Sequence, residues 1–113
     1  MIRACTKVRV RYVETDQMGV AHHSHYLAWM EAARTELLRE RGLSYRALEE
    51  KGFFLPVREA FCRYRKSLLY DDVAVVESRL LELGGASIKI GYVITREGDD
   101  APAAEGYTLH PFC

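Results

Sequence analysis

Between Tyr12 and Glu36 the chain reads Tyr-Val-Glu-Thr-Asp-Gln-Met-Gly-Val-Ala-His-His-Ser-His-Tyr-Leu-Ala-Trp-Met-Glu-Ala-Ala-Arg-Thr-Glu. One carboxylate, Asp16, ends a segment with strand character; Gly19 and three histidines follow, and an amphipathic pattern begins. A carboxylate can attack a carbonyl carbon, or take a proton from a water molecule that does so. The first turn of a helix carries backbone N–H groups with no intrahelical partner, and these suit a developing oxyanion. Together they suit hydrolysis of an activated carbonyl ester. The plainer use of Asp16 is an Asx-turn between strand and helix. The residues alone leave these two readings balanced.

Other chemistries fit less well. His22, His23 and His25 with Asp16 are metal-ligand types, but adjacent side chains at 22 and 23 diverge in most backbones, and only His110 lies elsewhere to complete a set. His22 and His25 are therefore expected as partly exposed pocket or interface residues. There is no Gly-x-Ser-x-Gly elbow, and Ser24 is expected as a helix N-cap. Cys62 falls in a strand and reads as a small apolar side chain. Glu31 and Arg34 read as structural, and Arg39 and Glu40 as a solvated helix face. Arg63, Tyr64, Arg65 and Lys66 join charge to an aromatic ring. Two readings of that cluster stay open: contacts to an anionic substrate, or a basic strand edge that resists pairing.

These residues need a scaffold. Lys7 to Glu14 alternates as a strand, and Asp16 to His23 is a loop. From Ser24 to about Arg41 a helix carries Tyr26, Met30, Ala33 and Leu37 on one stripe, with Gly42 as its stop. Ser44 to Lys51 suggests a short second helix ended by Gly52. Strands follow over Phe53–Ser67 (broken at Pro56), Val73–Leu83, Ala86–Arg96 and Ala103–Phe112. Gly84-Gly85 reads as a two-residue hairpin. The layout is α+β: one long helix on a curved antiparallel sheet of about five strands, in a single domain over 1–113. One long helix cannot cover two sheet faces, so a second subunit is expected on the uncovered face or at a sheet edge.

Composition narrows the function. Sixteen basic residues balance sixteen acidic ones, so no global field draws the chain to nucleic acid. No apolar run reaches the length of a membrane span. Three cysteines without a CxxC pair argue against a disulfide framework and for a reducing, cytoplasmic setting.

Tyr12-x-x-x-Asp16-x-x-Gly19-x-x-x-His23-x-x-Tyr26-Leu27, then Glu31-x-x-Arg34-x-Glu36, resembles the hotdog-fold acyl-CoA thioesterases of the 4-hydroxybenzoyl-CoA and Tol–Pal-associated type. Leu69-Tyr70-Asp71-Asp72 and Ala104-Glu105-Gly106-Tyr107-Thr108-Leu109-His110 echo the same family. The resemblance implies that Asp16 is the catalytic carboxylate, as nucleophile or general base. It implies that the His23 amide polarises the thioester carbonyl, that the His23 side chain helps Asp16, and that Tyr12 lines the pocket. Gly19, His22, His25 and Tyr26 would shape the substrate site, and Arg63, Arg65 and Lys66 would meet the phosphates of coenzyme A. No metal or organic cofactor is implied. The partners implied are an acyl-CoA thioester, or a thioester on acyl carrier protein, and further copies of the chain in a homodimer or homotetramer. His22 and His25 depart from the family pattern and bear on substrate choice. Relatives commonly run on past the equivalent of His110, so a short final strand or a truncated chain is expected at Cys113.

Overall fold

The stripe on the long helix is buried as its spacing requires. In the computed structural model, which describes residues 2–42, 45–50, 52 and 54–111, helix α1 (Ser24–Glu40) buries Tyr26, Trp29, Met30, Ala33 and Leu37. It packs on a five-stranded antiparallel sheet made of β1 (Arg3–Arg9), β2 (Glu59–Tyr64), β3 (Val73–Leu83), β4 (Ser87–Arg96) and β5 (Pro102–Pro111). The strand order is β1-β3-β4-β5-β2, which leaves β1 and β2 as edges. A short helix α2 (Tyr45–Glu50) lies between α1 and β2 in sequence. This is the hotdog architecture: one helix wrapped by a curved antiparallel sheet.

Period-two patterning explains the central strands. Ala74, Val76 and Ser78 of β3 and Ile88, Ile90, Tyr92 and Ile94 of β4 point to the helix side and are buried. On β5 the register skips Ala103, since Ile94 pairs with Ala104 and Thr95 with Pro102. That bulge lets the neighbours Ala103 and Ala104 both be buried. Gly106 of β5 faces Cys62 of β2, and a Cβ there would sit 1.9 Å from the Phe61 carbonyl oxygen. The two strands can approach this closely only across a glycine.

Several boundaries differ from the sequence expectation. The first strand spans Arg3–Arg9, not Lys7–Glu14, and Tyr12–Glu14 form a single 3-10 turn. The Arg11 N–H donates to the Glu14 carboxylate at 2.8 Å, which closes that turn and stops the strand. β2 is six residues long, not the expected fifteen. Pro56 has no N–H to give to a ladder, and at the other end the Arg65 and Lys66 N–H groups both donate to the Ala103 carbonyl, which ends the register. The hairpin between β3 and β4 closes one residue later than expected, because the Gly84 N–H donates to the Ser87 carbonyl and Gly85-Ala86 become the tip. Ser24 is the first helical residue and not the N-cap; His23 holds that position with helical φ and ψ. Gly42 terminates α1 at φ +79°, as expected. The final strand is ten residues long and so is not short. The expected positions Ser44, Lys51, Phe53 and Phe112 lie outside the described residues. No helix among the described residues is long and apolar enough to cross a membrane.

The core contains one polar chain. The Tyr92 hydroxyl meets Thr108 Oγ1 at 2.7 Å, Thr108 Oγ1 meets His110 Nε2 at 2.8 Å, and His110 Nδ1 meets the Leu55 carbonyl at 3.2 Å. A ring nitrogen beside a carbonyl must donate, so Nδ1 carries the proton and Nε2 accepts. Burial of the His110 ring, aided by the positive charge of Arg34, pushes its pKa below 6.5, against the opposing pull of the Leu55 carbonyl. The unfolded chain therefore takes up this proton at a higher pH than the folded one does. The stability that neutral His110 confers is complete above 6.5 and is lost as the pH falls from there through the lower folded value. We expect the urea midpoint to drop between pH 7 and pH 5. In His110→Gln, less stable throughout, that part of the pH dependence should disappear.

Candidate active site

The turn that ends β1 sets up the site. Glu14 is only 4% exposed. Its carboxylate accepts from the Arg11 N–H at 2.8 Å and from the Trp29 indole N–H at 3.2 Å, with the Arg11 guanidinium at 3.4 Å. Burial opposes ionisation, but these donors and the Arg11 charge outweigh it and hold the Glu14 carboxyl below its usual range. The Glu14 carbonyl in turn accepts the His22 N–H at 2.8 Å. One residue thus ties the end of β1, the helix α1 and the loop between them.

Asp16 lies two residues on. Its Oδ1 accepts the Met18 N–H at 2.9 Å and the Val20 N–H at 3.4 Å, so the Asx-turn reading is correct as far as it goes. Gly19 allows that turn by taking φ +78°, a conformation that side chains disfavour. The loop is pinned to the connection between β2 and β3 through a Val20–Leu69 bridge and an Ala21 N–H to Leu68 carbonyl bond of 2.7 Å. Asp16 Oδ2 takes no hydrogen bond among the described residues. The turn uses one carboxylate oxygen and leaves the other.

A cleft of about 300 Å³ opens beside this loop. Asp16, His22, His23, Tyr26, Tyr64, Arg65 and Lys66 line it, with Val20, Ala21 and Ser67. Of the residues anticipated from sequence, Asp16, His22, His23, Tyr26, Arg65 and Lys66 therefore come together. Gly19 and His25 stand just outside: Gly19 shapes the loop, and the His25 ring packs edge-on to His22 at 6.2 Å. Arg63 points away from the cleft, its guanidinium 5.9 Å from the Phe61 ring centroid, because alternation along β2 sends 61 and 63 to the face opposite Cys62 and Tyr64. Tyr12 does not line the cleft of its own chain. It is 77% exposed and packs edge-on against Tyr70, since the 3-10 turn rotates it off the strand alternation.

At the helix start, the His23 N–H takes no partner among the described residues. The His23 ring forms no hydrogen bond to Asp16 there either; it packs on His22 with centroids 4.2 Å apart. His22 Nδ1 meets the Ser24 hydroxyl at 2.8 Å, which explains why the serine does not cap the helix. Arg65 bonds Glu105 at 3.0 Å through Nε, and Lys66 bonds Asp99 at 3.3 Å. Among the described residues no three His, Cys, Asp or Glu side chains are grouped to hold a metal ion.

Tyr64, read from the sequence only as the aromatic member of a charged cluster and given no site role, lines the cleft. Its hydroxyl donates to the His23 carbonyl at 3.1 Å. The signal was present in the two-residue spacing from Cys62, which packs on the core, but a strand expected to run through Ser67 gave no reason to single out this ring.

The fold and the cleft define a hotdog domain with a carboxylate beside a helix N-terminus. Residues 10–113 match the thioesterase-like superfamily, and the chain belongs to that family. It is similar to the hypothetical protein TT1821 of Thermus thermophilus, with 41% identity, a TM-score of 0.92 and coverage of 97% of this chain and 82% of that one. It is similar to the DHNA-CoA thioesterase of Staphylococcus aureus, with 31% identity, a TM-score of 0.94 and coverage of 99% and 74%. The acyl-CoA thioester hydrolase YbgC of Escherichia coli is 35% identical over 81 residues, which is 72% of this chain and 60% of that protein's length.

Proposed function

We propose that this protein hydrolyses an acyl-CoA thioester to the free acid and coenzyme A, with Asp16 as the reacting carboxylate. The observation that carries the reading is the pairing, on one cleft, of a carboxylate with an unengaged oxygen and a helix-start residue with an unengaged N–H. The names of the relatives supply the substrate class. Within the superfamily, the Tyr12-to-Tyr26 motif favours the 4-hydroxybenzoyl-CoA and Tol–Pal-associated type.

A thioester carbonyl is already activated, so one carboxylate and one oxyanion donor suffice. By the first route, Asp16 attacks the carbonyl carbon and the His23 N–H receives the oxyanion. Collapse expels the coenzyme A thiolate and leaves an anhydride that water cleaves. By the second, Asp16 takes the proton of a water that attacks directly. Both consume one water and release acid and thiol. Tyr26 gives the cleft an apolar wall; burial pushes its phenol above the usual range and keeps it neutral. Arg65 and Lys66 would exchange their carboxylate partners in part for the phosphates of coenzyme A. Exposed Tyr12, Val13, Met18, Leu69 and Tyr70 flank the Asp16 loop, and a second copy of the chain covering them would bring another wall to the site. Free Cys5 and Cys62 suit a cytoplasmic setting.

Three measurements follow. Thiol release from a panel of acyl-CoA thioesters, with carrier-protein thioesters alongside, should show hydrolysis by the native protein that falls about a hundredfold or more in Asp16→Asn; full activity in that variant would remove Asp16 from the mechanism. No turnover with tight binding of a thioester would mark an acyl-binding protein instead. Lys66→Gln should raise KM several-fold for a coenzyme A thioester and leave the N-acetylcysteamine thioester, which lacks the nucleotide, unchanged. In light scattering the mass should be two or four times the chain's 12.9 kDa, and a monomer would refute the shared site.

A further inference from the structure

We infer that Tyr64 is a positioning residue for the reaction, holding the His23 carbonyl at the start of α1 through its hydroxyl and so the backbone of the residue whose N–H faces the substrate. This rests on the hydrolytic reading above and adds to it a side chain from a different element, the edge strand β2.

The start of α1 has no side-chain cap from its own N-cap residue. His23 occupies the N-cap position with φ −58° and ψ −29°. The Ser24 N–H goes instead to His22 Nδ1 at 3.3 Å. Beside its place in the helix ladder, the His23 carbonyl accepts a long bond of 3.3 Å from the Tyr26 N–H. Ser24, the residue suited to capping, has its hydroxyl taken by His22. A helix terminus frays more readily than a helix interior. The amide it presents would then lose its aim at the substrate carbonyl, where placement within a fraction of an ångström matters.

Tyr64 adds a contact from outside the helix. Its O–H reaches the same His23 carbonyl at 3.1 Å from across 41 residues of sequence. Its ring meets the His23 ring edge-on at 6.0 Å and the Tyr26 ring edge-on at 4.9 Å. Three contacts from one side chain thus converge on the two helix-start residues that line the cleft. The phenol is pushed up to about 12, by burial first and by its neighbours Cys62 and Tyr26, so it stays protonated and remains a donor across any working pH. The strand holding Tyr64 is itself fixed by the Gly106 contact, so the anchor is as rigid as the sheet edge.

The test is Tyr64→Phe, which keeps the ring contacts and removes only the hydroxyl. We expect kcat to fall about tenfold, the size of one neutral hydrogen bond, with KM within a factor of two and thermal stability nearly unchanged. Amide exchange measured by NMR should quicken at residues 23–26 and stay the same in β3 and β4. Loss confined to KM would mean that Tyr64 only lines the pocket, and would overturn the inference; so would unchanged exchange at the helix start. Run beside Asp16→Asn, the assay separates the two readings. A collapsed Asp16→Asn with a fully active Tyr64→Phe rejects the Tyr64 role and keeps the hydrolase. A native protein that releases no thiol rejects both.

Discussion

The buried Glu14 carboxylate is the contact on which the site depends. A charge inside a protein is tolerated only when donors surround it. Here the donors come from three directions: the Arg11 backbone, the Arg11 guanidinium and the Trp29 indole. Satisfying that charge forces the chain to turn at Tyr12–Glu14, and draws α1 against the end of β1. The loop carrying Asp16 begins where the turn ends, and it returns to the same residue when the His22 N–H meets the Glu14 carbonyl. The position of Asp16 relative to the helix start is therefore a consequence of where one carboxylate finds its hydrogen bonds.

The loop itself is economical in its use of atoms. Asp16 serves as a turn-former with one oxygen and leaves the other unengaged. His22 takes both the Ser24 hydroxyl and the Ser24 N–H, and the His23 N–H is left without a partner among the described residues. A helix-start N–H without a partner is a defect in a structural helix and an asset in a site that must offer that N–H to something else. The sheet edge then supplies, through Tyr64, a fixed point that local residues do not provide.

The aromatic and apolar side chains around this loop divide by exposure. Tyr26 and Trp29 are buried and belong to the core of one chain. Tyr12, Val13, Met18, Leu69 and Tyr70 stand out from the surface within the same region. Clustered apolar exposure of this kind has a free-energy cost that burial against another surface relieves.

The sequence by itself determined the central elements. Alternation over Val73–Leu83 and Ile88–Ile94 left one arrangement of those strands, and the Tyr26, Met30, Ala33, Leu37 spacing left one buried face for the helix, because a mismatch would strand apolar area in water. It also pointed to Asp16, since a short acid followed by glycine and a helix start is a local pattern. The tertiary structure decided what depends on long-range bonds. Glu14 reads as an ordinary acid until Trp29 is seen to donate to it, and the turn that its carboxylate closes with the Arg11 N–H moved the strand end back from Glu14 to Arg9. Tyr12 left the pocket of its own chain for the same reason, and the turn carried it to the surface beside Tyr70. Arg63 and Lys66 read alike in sequence; the short β2 and its alternation put one on the far face and the other in the cleft. The bond made by the Tyr64 hydroxyl could not be foreseen before folding, because its partner is a backbone carbonyl 41 residues away, and a backbone carbonyl carries no mark in the sequence.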